Sequence, residues 1–408
     1  MKHKILQINT VANIAATGKI SQEIGQEVIK NGWKSYIAAG RHIRESSSKL
    51  IKIDSFLNII FHVIKTRITD RHGFGSKRAT LKLIDDIIKI KPDIIHLHNL
   101  HGYYLNIELL FNYLKTVNIP IVWTLHDCWP FTGHCTYFDA IDCNRWQTGC
   151  YSCPQTKEYP TSVWQDNSER NYHDKKEIFT SVSNLTTVPV SNWLDGIIKK
   201  SFLKKYPQHI IFNGVNLNTF SPQKNNKLLK SNLKFQDKFI MLGVALNWEK
   251  RKGLSDFLAL SKLIDNDSII ILVGLNKKQI KDLPSNIIGF TRTKNVEELV
   301  EIYSLADVVL NLSVEETFGM TTIEGYACGT PAVVYNCTAS PELVSSETGL
   351  IVKKNNIKAL LIAINEIKVR GKAYYTEACR TYAVEFHNKD ILYKEYILLY
   401  EKLLSKKK

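Results

Sequence analysis

Short apolar runs alternate with helical stretches along the first half of the chain. KILQIN at residues 4–9 is a compact buried-strand pattern, and Ile20, Ile24 and Val28 then recur at a spacing of four, which is helical. Gly32 is expected to end this helix. The alternation continues through SYIAAG, LKLIDDIIKI, PDIIHLH, NIELLFNYLKTV and IPIVWTLHD. It predicts a parallel sheet with helices on both faces.

A second alternating series starts near Phe239, with FIMLGVAL, IIILVG, NIIGF, DVVLNL and PAVVY as predicted strands. The sequence therefore predicts an α/β fold of two doubly wound, Rossmann-like domains that face each other across a cleft. The polar stretch SPQKNNKLLKSNLKFQDK is expected to be an exposed connection. The expected boundaries are an N-terminal domain at 1–212 with a cysteine-rich insertion at 128–160, a C-terminal domain at 213–385, and a final helix at 386–408 that packs back toward the N-terminal domain.

The net charge of the chain indicates which kind of partner it binds. The 408 residues carry a formal net charge of +15, which favours an anionic partner such as a nucleic acid, a phosphorylated substrate or the inner face of a membrane. No signal peptide is visible before the first predicted strand, so a cytoplasmic location is expected. The most apolar stretch, FLNIIFHVI at 56–64, is about half as long as a membrane-spanning helix.

Polar residues follow several predicted strands directly. His98 and Asn99 come after DIIHL, and His126 comes after IVWTL. Because parallel strands end at one edge of their sheet, where α/β proteins bind ligands, these side chains are expected to line a cleft.

The stretch SVEETFGMTTIEGYACGTPAVV at 313–334 is the most informative in the chain. A strand ends before it, Gly319 opens a helix, and Gly-Thr-Pro at 329–331 stops that helix. The amides of Gly319, Met320 and Thr321 at the helix start form an anion site for a phosphate or for sugar hydroxyls. Glu316 and Glu324 flank this site.

This stretch resembles the retaining GT-B glycosyltransferases of the glycosyltransferase family 4 type, which carry two glutamates in a similar frame. The resemblance implies that Glu324 binds the ribose of a nucleotide sugar and that Glu316 holds the transferred sugar. NWEKRKGLSDFLAL resembles the family's Lys-Gly segment, so Lys252 is expected to pair with the donor diphosphate and Arg251 to add a second charge. The remaining expected donor contacts are Gly18, Phe318, Gly319, Met320 and Thr321.

His126 of TLHD resembles the family's active-site histidine, and it is expected to contact the donor sugar during a front-face transfer with retention. PDIIHLHNLHGYYLN and TLHDCWPFTGHC resemble a subgroup of colanic-acid-type and other surface-polysaccharide transferases. The resemblance places an acceptor on the N-terminal domain. The expected acceptor-side residues are Gly18, His98, Asn99, His101, Tyr103 and Asn106, with a hydrogen-bonded loop of structural histidines as the alternative.

The insertion presents Cys135, Cys143, Cys150 and Cys153, whose closing Cys-x2-Cys pair suits one tetrahedral ion. A structural zinc site is one expectation, and free buried thiols are the alternative. Asp-Asn-Asp at 265–267 matches an Asp-x-Asp metal signature but sits in a polar turn. Catalysis is therefore expected to need no metal or other cofactor.

The resemblance implies a nucleotide-sugar donor, a lipid-linked oligosaccharide acceptor and no nucleic acid. Peripheral contact with the inner membrane is a further hypothesis, because the 56–64 stretch could form an apolar helical face followed by basic residues. A helix packed into the core explains that stretch equally well. The alternative functions are a nucleotide-sugar epimerase on the same architecture and a basic, zinc-containing nucleic-acid-binding protein.

Overall fold

The computed structural model describes residues 2–223 and 238–406, and the chain divides into two compact units. The N-terminal unit comprises Met1–Phe212 together with Tyr393–Lys408, and the C-terminal unit comprises Asn213–Leu392. The predicted connection at 221–238 lies almost wholly outside the described residues.

The N-terminal unit is a parallel sheet with the strand order β3-β2-β1-β4-β5-β6 in the described part of the chain. Its strands are β1 Lys4–Asn9, β2 Lys34–Ala39, β3 Lys49–Lys52, β4 Ile94–Leu97, β5 Ile121–Leu125 and β6 Leu185–Pro189. Its helices are α1 Ala15–Lys30, α2 Phe56–Thr69, α3 Lys77–Ile90, α4 Ile107–Leu114, α5 Ser168–Phe179 and α6 Asn192–Ile198.

The C-terminal unit repeats this plan with the strand order β12-β11-β10-β7-β8-β9, again with all described pairs parallel. Its strands are β7 Phe239–Val244, β8 Ser268–Val273, β9 Ile287–Phe290, β10 Val308–Asn311, β11 Ala332–Tyr335 and β12 Gly349–Val352. Its helices are α7 Leu254–Leu260, α8 Lys277–Lys281, α9 Val296–Leu305, α10 Met320–Ala327, α11 Ile357–Arg370 and α12 Lys372–Phe386. A last helix, α13, spans Lys389–Ser405.

The predicted α/β class with two doubly wound sheets is confirmed. The inner strands β4 and β5 are buried along their full length, which explains why both are mostly apolar in sequence. Two details differ from the prediction. The helix expected at 81–90 begins earlier, at Lys77, and the edge strand β3 had no apolar signal because its residues are only partly buried.

Strand order matters for function because each sheet has a point where the order reverses. In the N-terminal sheet this switch lies between β1 and β4, and in the C-terminal sheet it lies between β7 and β10. Loops leave the two neighbouring strands in opposite directions at such a point, and ligands of α/β proteins bind in the crevice that opens there. His98 follows β4, Lys252 follows β7 and Glu316 follows β10.

The C-terminal end of α13 completes the N-terminal unit through a buried polar network. Tyr400 OH lies 2.7 Å from His96 Nδ1, and His96 Nε2 lies 2.8 Å from Thr124 Oγ1. Thr124 Oγ1 also lies 3.0 Å from Tyr396 OH. Burial lowers the pKa of His96 to about 3, so the ring stays neutral and relies on these hydroxyls for its hydrogen bonds.

Tyr400→Phe is expected to destabilise the protein, because it leaves a ring nitrogen of His96 buried without a partner. The loss should be about 1–3 kcal/mol, measured as a lower urea midpoint by circular dichroism. Tyr374→Phe is the matched control, since Tyr374 is exposed on α12, and it should change stability by less than about 0.5 kcal/mol. Equal midpoints for the two variants would contradict the role given to this network.

Candidate functional site

The switch point of the N-terminal sheet carries a group of histidines, here called the N-terminal site: His98, His101, His126 and Asp127. His98 follows β4 and His126 follows β5, so adjacent parallel strands bring the two rings into a stack with centroids 5.4 Å apart. His98 Nδ1 lies 3.1 Å from His126 Nε2. The structure therefore brings together three of the predicted residues, His98, His101 and His126, at the expected edge.

Hydrogen bonds fix which nitrogen of each ring carries a proton. Gln7 on β1 donates its amide N–H to the carbonyl of Ser21 at 2.8 Å, so its oxygen faces His98 Nε2, 3.0 Å away. Because an amide oxygen can only accept, His98 Nε2 must carry the proton. Burial holds the pKa of His98 well below its usual value, so the ring is neutral and carries only one proton. His98 Nδ1 is therefore unprotonated and accepts a hydrogen bond from the Nε2–H of His126.

His126 is consequently a neutral ring whose Nδ1 carries no proton. Burial is the main cause that lowers its pKa to about 4, with His101 adding to the effect and Asp127 opposing it. His98 itself is 1% exposed and has protein partners on both nitrogens, so it positions His126. The acceptor-side role expected for His98 stays a prediction.

Asp127 forms a pair with His101. His101 Nε2 lies 2.6 Å from Asp127 Oδ2, while the backbone N–H of Trp129 donates to Oδ1 at 2.9 Å. Burial opposes ionisation of Asp127, but His101 and the Trp129 amide outweigh it and lower the pKa of the carboxyl. Tyr159 OH lies 3.0 Å from His101 Nδ1 and completes the pair.

Sequence reasoning missed Tyr159 and Gln7 as members of this site. Gln7 lies inside β1 and Tyr159 lies in the insertion, so no local pattern marks either residue.

Four other predicted acceptor-side residues lie nearby with differing roles. The carbonyl of Asn99 accepts from Thr10 Oγ1 at 3.0 Å, and Tyr103 is mostly buried with a positive φ of 67°. Gly18 is buried within α1. Asn106 is 0% exposed and caps α4 by accepting the Leu109 N–H at 3.0 Å. The structure therefore assigns Asn106 to helix capping, which corrects the prediction.

The C-terminal unit holds a second group at its own switch point, the C-terminal site: Arg251, Lys252, Glu316, Gly319 and Glu324. Lys252 Nζ lies 2.5 Å from Glu316 Oε2, and both side chains are mostly buried. Arg251 donates to the Glu315 carbonyl at 3.3 Å and pairs with Glu249. Burial opposes ionisation of Glu316, but Lys252 and Arg251 outweigh it and lower the pKa of the carboxyl.

Glycines allow the two loops of this site to approach each other. Gly253 has a φ of +75°, and a Cβ there would stand 2.3 Å from the Leu312 carbonyl oxygen. The loops are also joined by the Val314 N–H, which donates to the Arg251 carbonyl at 2.9 Å. Any side chain at 253 would push the Lys252 loop away from the Glu316 loop.

The start of α10 presents backbone N–H groups beside these charges. Gly319 precedes the helix with a φ of +113°, a conformation that other residues rarely adopt. Met320 and Thr321 form the first turn, whose N–H groups have no partner within a helix and attract anions. Phe318 is buried just before the turn, and its ring packs edge-on against His387 with centroids 5.6 Å apart.

Glu324 lies one turn further along α10 and is held by α9. Tyr303 donates its hydroxyl to Glu324 Oε2 at 2.8 Å. Burial raises the pKa of Tyr303 well above its usual value, with the Glu324 charge adding to the effect, so the hydroxyl stays a donor. Glu316 and Glu324 thus have different partners, a cation for one and a neutral hydroxyl for the other.

The predicted zinc ligands are not assembled as a metal centre. Cys135, Cys143, Cys150 and Cys153 are free thiols, and residues 2–223 and 238–406 contain no group of three or more His, Cys, Asp or Glu side chains placed to hold an ion. Burial raises the pKa of the Cys150 thiol to about 12, and its sulfur accepts the Gly133 N–H at 3.2 Å. The Cys135 thiol is hydrogen-bonded to Cys153, so these two sulfurs lie close together, and a structural zinc ion stays a prediction.

An aromatic cluster packs the interior of the insertion. Trp146 packs on Phe138 and Phe131 with ring centroids 4.8 and 5.6 Å away. The buried amine of Lys175 donates to the carbonyls of Trp129 and Thr132 at 2.8 and 3.0 Å. The insertion therefore has a packed core of its own.

Comparisons with known proteins agree with the C-terminal site. Residues 236–368, which contain its five members, match the family model described as Glycosyl transferases group 1. The C-terminal unit carries a glycosyltransferase group 1 domain.

Curated relatives support this assignment. Colanic acid biosynthesis glycosyl transferase WcaC of Escherichia coli K12 is 27% identical over 187 residues, which are 43% of this chain and 45% of WcaC. D-inositol 3-phosphate glycosyltransferase of Mycobacteroides abscessus is 34% identical over 100 residues, 24% of this chain and 23% of the relative. The matched segments thus span less than half of these two relatives. An uncharacterised 41.2 kDa protein of the Klebsiella pneumoniae cps region is 21% identical over 92% of this chain and 98% of its own length.

Solved structures show the fold. Sucrose-phosphate synthase of Thermosynechococcus elongatus is similar with a TM-score of 0.75 and 18% identity, covering 99% of this chain and all of that one. Anabaena HepE, solved with UDP-glucose, has a TM-score of 0.67 and 13% identity, with 99% of each chain covered. The chain carrying the group 1 domain has a GT-B fold, as predicted.

The ring protonation deduced for His126 can be read by ¹⁵N NMR of the histidine side chains. Wild-type His126 is expected to show a protonated Nε2 and a bare Nδ1 between about pH 5 and pH 8. Gln7→Leu should shift this signal, because His98 Nε2 then loses its acceptor. Gln147→Leu changes an exposed glutamine and should leave it unchanged. A wild-type His126 protonated on Nδ1 would contradict the deduction.

Proposed function

We propose that this protein is a retaining glycosyltransferase. It moves a hexose-type sugar from a nucleotide-sugar donor to a growing, lipid-linked, cell-surface oligosaccharide. The observation that carries the proposal is the C-terminal site, where Lys252, Glu316, the start of α10 and Glu324 meet inside the matched group 1 domain.

The donor contacts follow from the chemistry of a nucleotide sugar. Its diphosphate is an anion that suits Lys252 and the N–H groups at the start of α10. Its ribose carries a vicinal diol, and such a diol suits the carboxylate of Glu324, whose Oε2 accepts from the Tyr303 hydroxyl. In its ion pair with Lys252, Glu316 stays charged and accepts the hydroxyls of the sugar.

Transfer then depends on positioning and charge stabilisation. As the bond between sugar and diphosphate breaks, negative charge grows on the leaving diphosphate, and Lys252 with the α10 amides stabilises it. Glu316 and Glu324 do not act as the two-carboxylate pair of a glycoside hydrolase, because their partners give them separate tasks. NMR of the anomeric proton of the product checks retention.

His126 contributes from the N-terminal site as a neutral hydrogen-bond acceptor. Its Nδ1 carries no proton and can accept a hydrogen bond from a sugar hydroxyl, a capacity that a protonated imidazolium would lose. His101 with Asp127, together with Asn99 and Tyr103, forms the surroundings in which an acceptor hydroxyl binds.

Metal independence is part of the proposal. Asp265 pairs with Lys368 at 2.7 Å in the turn that precedes β8, and the turn is closed by the Ser268 N–H donating to the Asp265 carbonyl. The Asp-x-Asp stretch therefore stands at the amino end of a strand, opposite to the edge that carries the C-terminal site.

The acceptor class rests on the relatives. WcaC is named for colanic acid biosynthesis, and the Klebsiella relative is named for a cps region. We infer that this protein acts at the inner face of the cytoplasmic membrane, where lipid-linked oligosaccharides are extended.

The test is calorimetric titration of UDP, GDP, ADP and dTDP in buffer containing EDTA. One nucleotide should bind the wild type, and Glu324→Ala should weaken it by about tenfold to a hundredfold, because a charged hydrogen bond to the ribose is lost. Lys252→Ala should also weaken it, since the diphosphate loses its cation.

Two controls sharpen this titration. Glu324→Gln keeps an oxygen for Tyr303 but removes the charge, so weaker binding there cannot come from a damaged helix. Glu377→Ala changes an exposed glutamate on α12 and should bind like the wild type. Absence of binding by all four nucleotides would overturn the proposal.

A further inference from the structure

Helix α2 is oriented with its apolar residues toward solvent. Its side chains at His62 and Thr66 are buried, although both are polar. The exposed side chains are mostly large and apolar, between 37% and 74% exposed: Phe56, Leu57, Ile60, Phe61, Ile64 and Ile68. An ordinary surface helix has the opposite arrangement. Of the two explanations left open by the sequence, the structure does not support a helix packed into the core.

Polar contacts hold α2 in this orientation. The Gly75 N–H donates to His62 Nε2 at 3.2 Å, so His62 Nδ1 carries the proton and donates to Ser76 Oγ at 3.0 Å. A Cβ at Gly75 would overlap the His62 ring, which shows how closely this turn approaches the helix. The apolar side is therefore fixed outward by the fold.

A second exposed apolar segment lies against the end of α2. The Val163 N–H donates to the Arg67 carbonyl at 2.7 Å, and Asn167 Nδ2 donates to the Thr69 carbonyl at 2.8 Å. Val163 and Trp164 are 67% and 78% exposed. The apolar surface of α2 thus continues into this loop, and we call the combined surface the α2 patch.

Basic side chains surround the α2 patch. Lys65 and Arg67 lie on α2 itself, and Lys77 and Arg78 begin α3 beside a pocket that Phe61 and Lys65 also line. Helix α2 contains no acidic residue. Within residues 2–223 and 238–406, none of these four cations forms an ion pair with a carboxylate. The Lys65 pKa is lowered by burial and by the neighbouring charges of Lys77 and Arg71, so an anion placed here would relieve repulsion.

We propose that the α2 patch docks this protein onto a bilayer surface that contains anionic phospholipid. The apolar side chains enter the boundary between headgroups and acyl chains, and the cations bind lipid phosphates. An apolar protein partner would not need the cations that surround the α2 patch. The net charge of +15 adds long-range attraction between this protein and an anionic bilayer.

The part of the chain that the structure describes has no helix long and apolar enough to cross a bilayer. A helix that docks in the plane of the membrane–water interface does not need to span the bilayer. The inference rests on the proposed function only in its choice of the inner face of the cytoplasmic membrane. Docking through the α2 patch would bring this enzyme to the membrane surface, where a lipid-linked acceptor lies.

Vesicle co-sedimentation of the full chain tests the proposal. The wild type should bind phosphatidylglycerol–phosphatidylcholine vesicles, weakly bind phosphatidylcholine alone, and lose affinity at high salt. The variant Phe56→Ser/Leu57→Ser/Phe61→Ser should bind at least about tenfold more weakly. Its matched control is Ile362→Ser/Val369→Ser/Leu398→Ser, which removes three side chains of similar exposure from α11 and α13 and should bind normally.

A charge series separates the two parts of the patch. Arg67→Gln/Lys77→Gln/Arg78→Gln should lose about fivefold affinity for anionic vesicles per charge removed. Lys277→Gln/Lys278→Gln/Lys281→Gln removes the same charge from α8 and should have a much smaller effect. Equal losses in both variants would mean attraction by net charge alone and would overturn the assignment to α2.

Two further outcomes would also overturn the docking proposal. One is a wild type that fails to bind anionic vesicles at low salt. The other is sedimentation velocity showing a wild-type dimer that the α2 variant dissociates while vesicle binding is unchanged, which would make the patch an interface between copies. Nucleotide titration of the α2 variant should match the wild type, so failure of docking and failure of the transferase proposal are observed separately.

Discussion

Both units depend on one constraint, which is that parallel strands deliver their carboxyl ends to a single edge of the sheet. At each point where the strand order reverses, two loops leave in opposite directions and a crevice opens between them. The N-terminal sheet places His98 and His126 there on adjacent strands. The C-terminal sheet places Lys252 and Glu316 there, 64 residues apart in sequence and 2.5 Å apart in space.

The two sites differ in the charge state of their side chains. In the C-terminal site, cations and helix amides surround a carboxylate whose pKa is lowered, so charges are kept and available to a charged ligand. In the N-terminal site, burial lowers the pKa of His98 and His126, and a chain of hydrogen bonds from Gln7 sets which nitrogen is bare. Fixed charge suits a diphosphate, and a fixed neutral acceptor suits a hydroxyl.

Sequence reasoning predicted the features that depend on local pattern. The periodicity of apolar residues and the strand ends were enough for the fold class, whereas the roles expected for Glu316, Glu324 and Lys252 came from the family resemblance and stay predictions. It could not predict contacts made across the fold. Gln7 is one residue of a buried strand, Asn106 caps a helix where a loop contact was expected, and the cysteines lie in an insertion packed by aromatic rings. The outward face of α2 also depends on tertiary contacts of His62, which no helical pattern reveals.

The central claim is that the loop before α10 and the first turns of that helix bind the diphosphate and ribose of a nucleotide sugar. Hydrogen–deuterium exchange with and without the nucleotide that binds tests this most directly. Exchange should slow by about tenfold or more in peptides covering 313–325 and 251–254, because the amides at 319–321 gain an acceptor. Protection elsewhere in the chain with none at α10 would contradict the account.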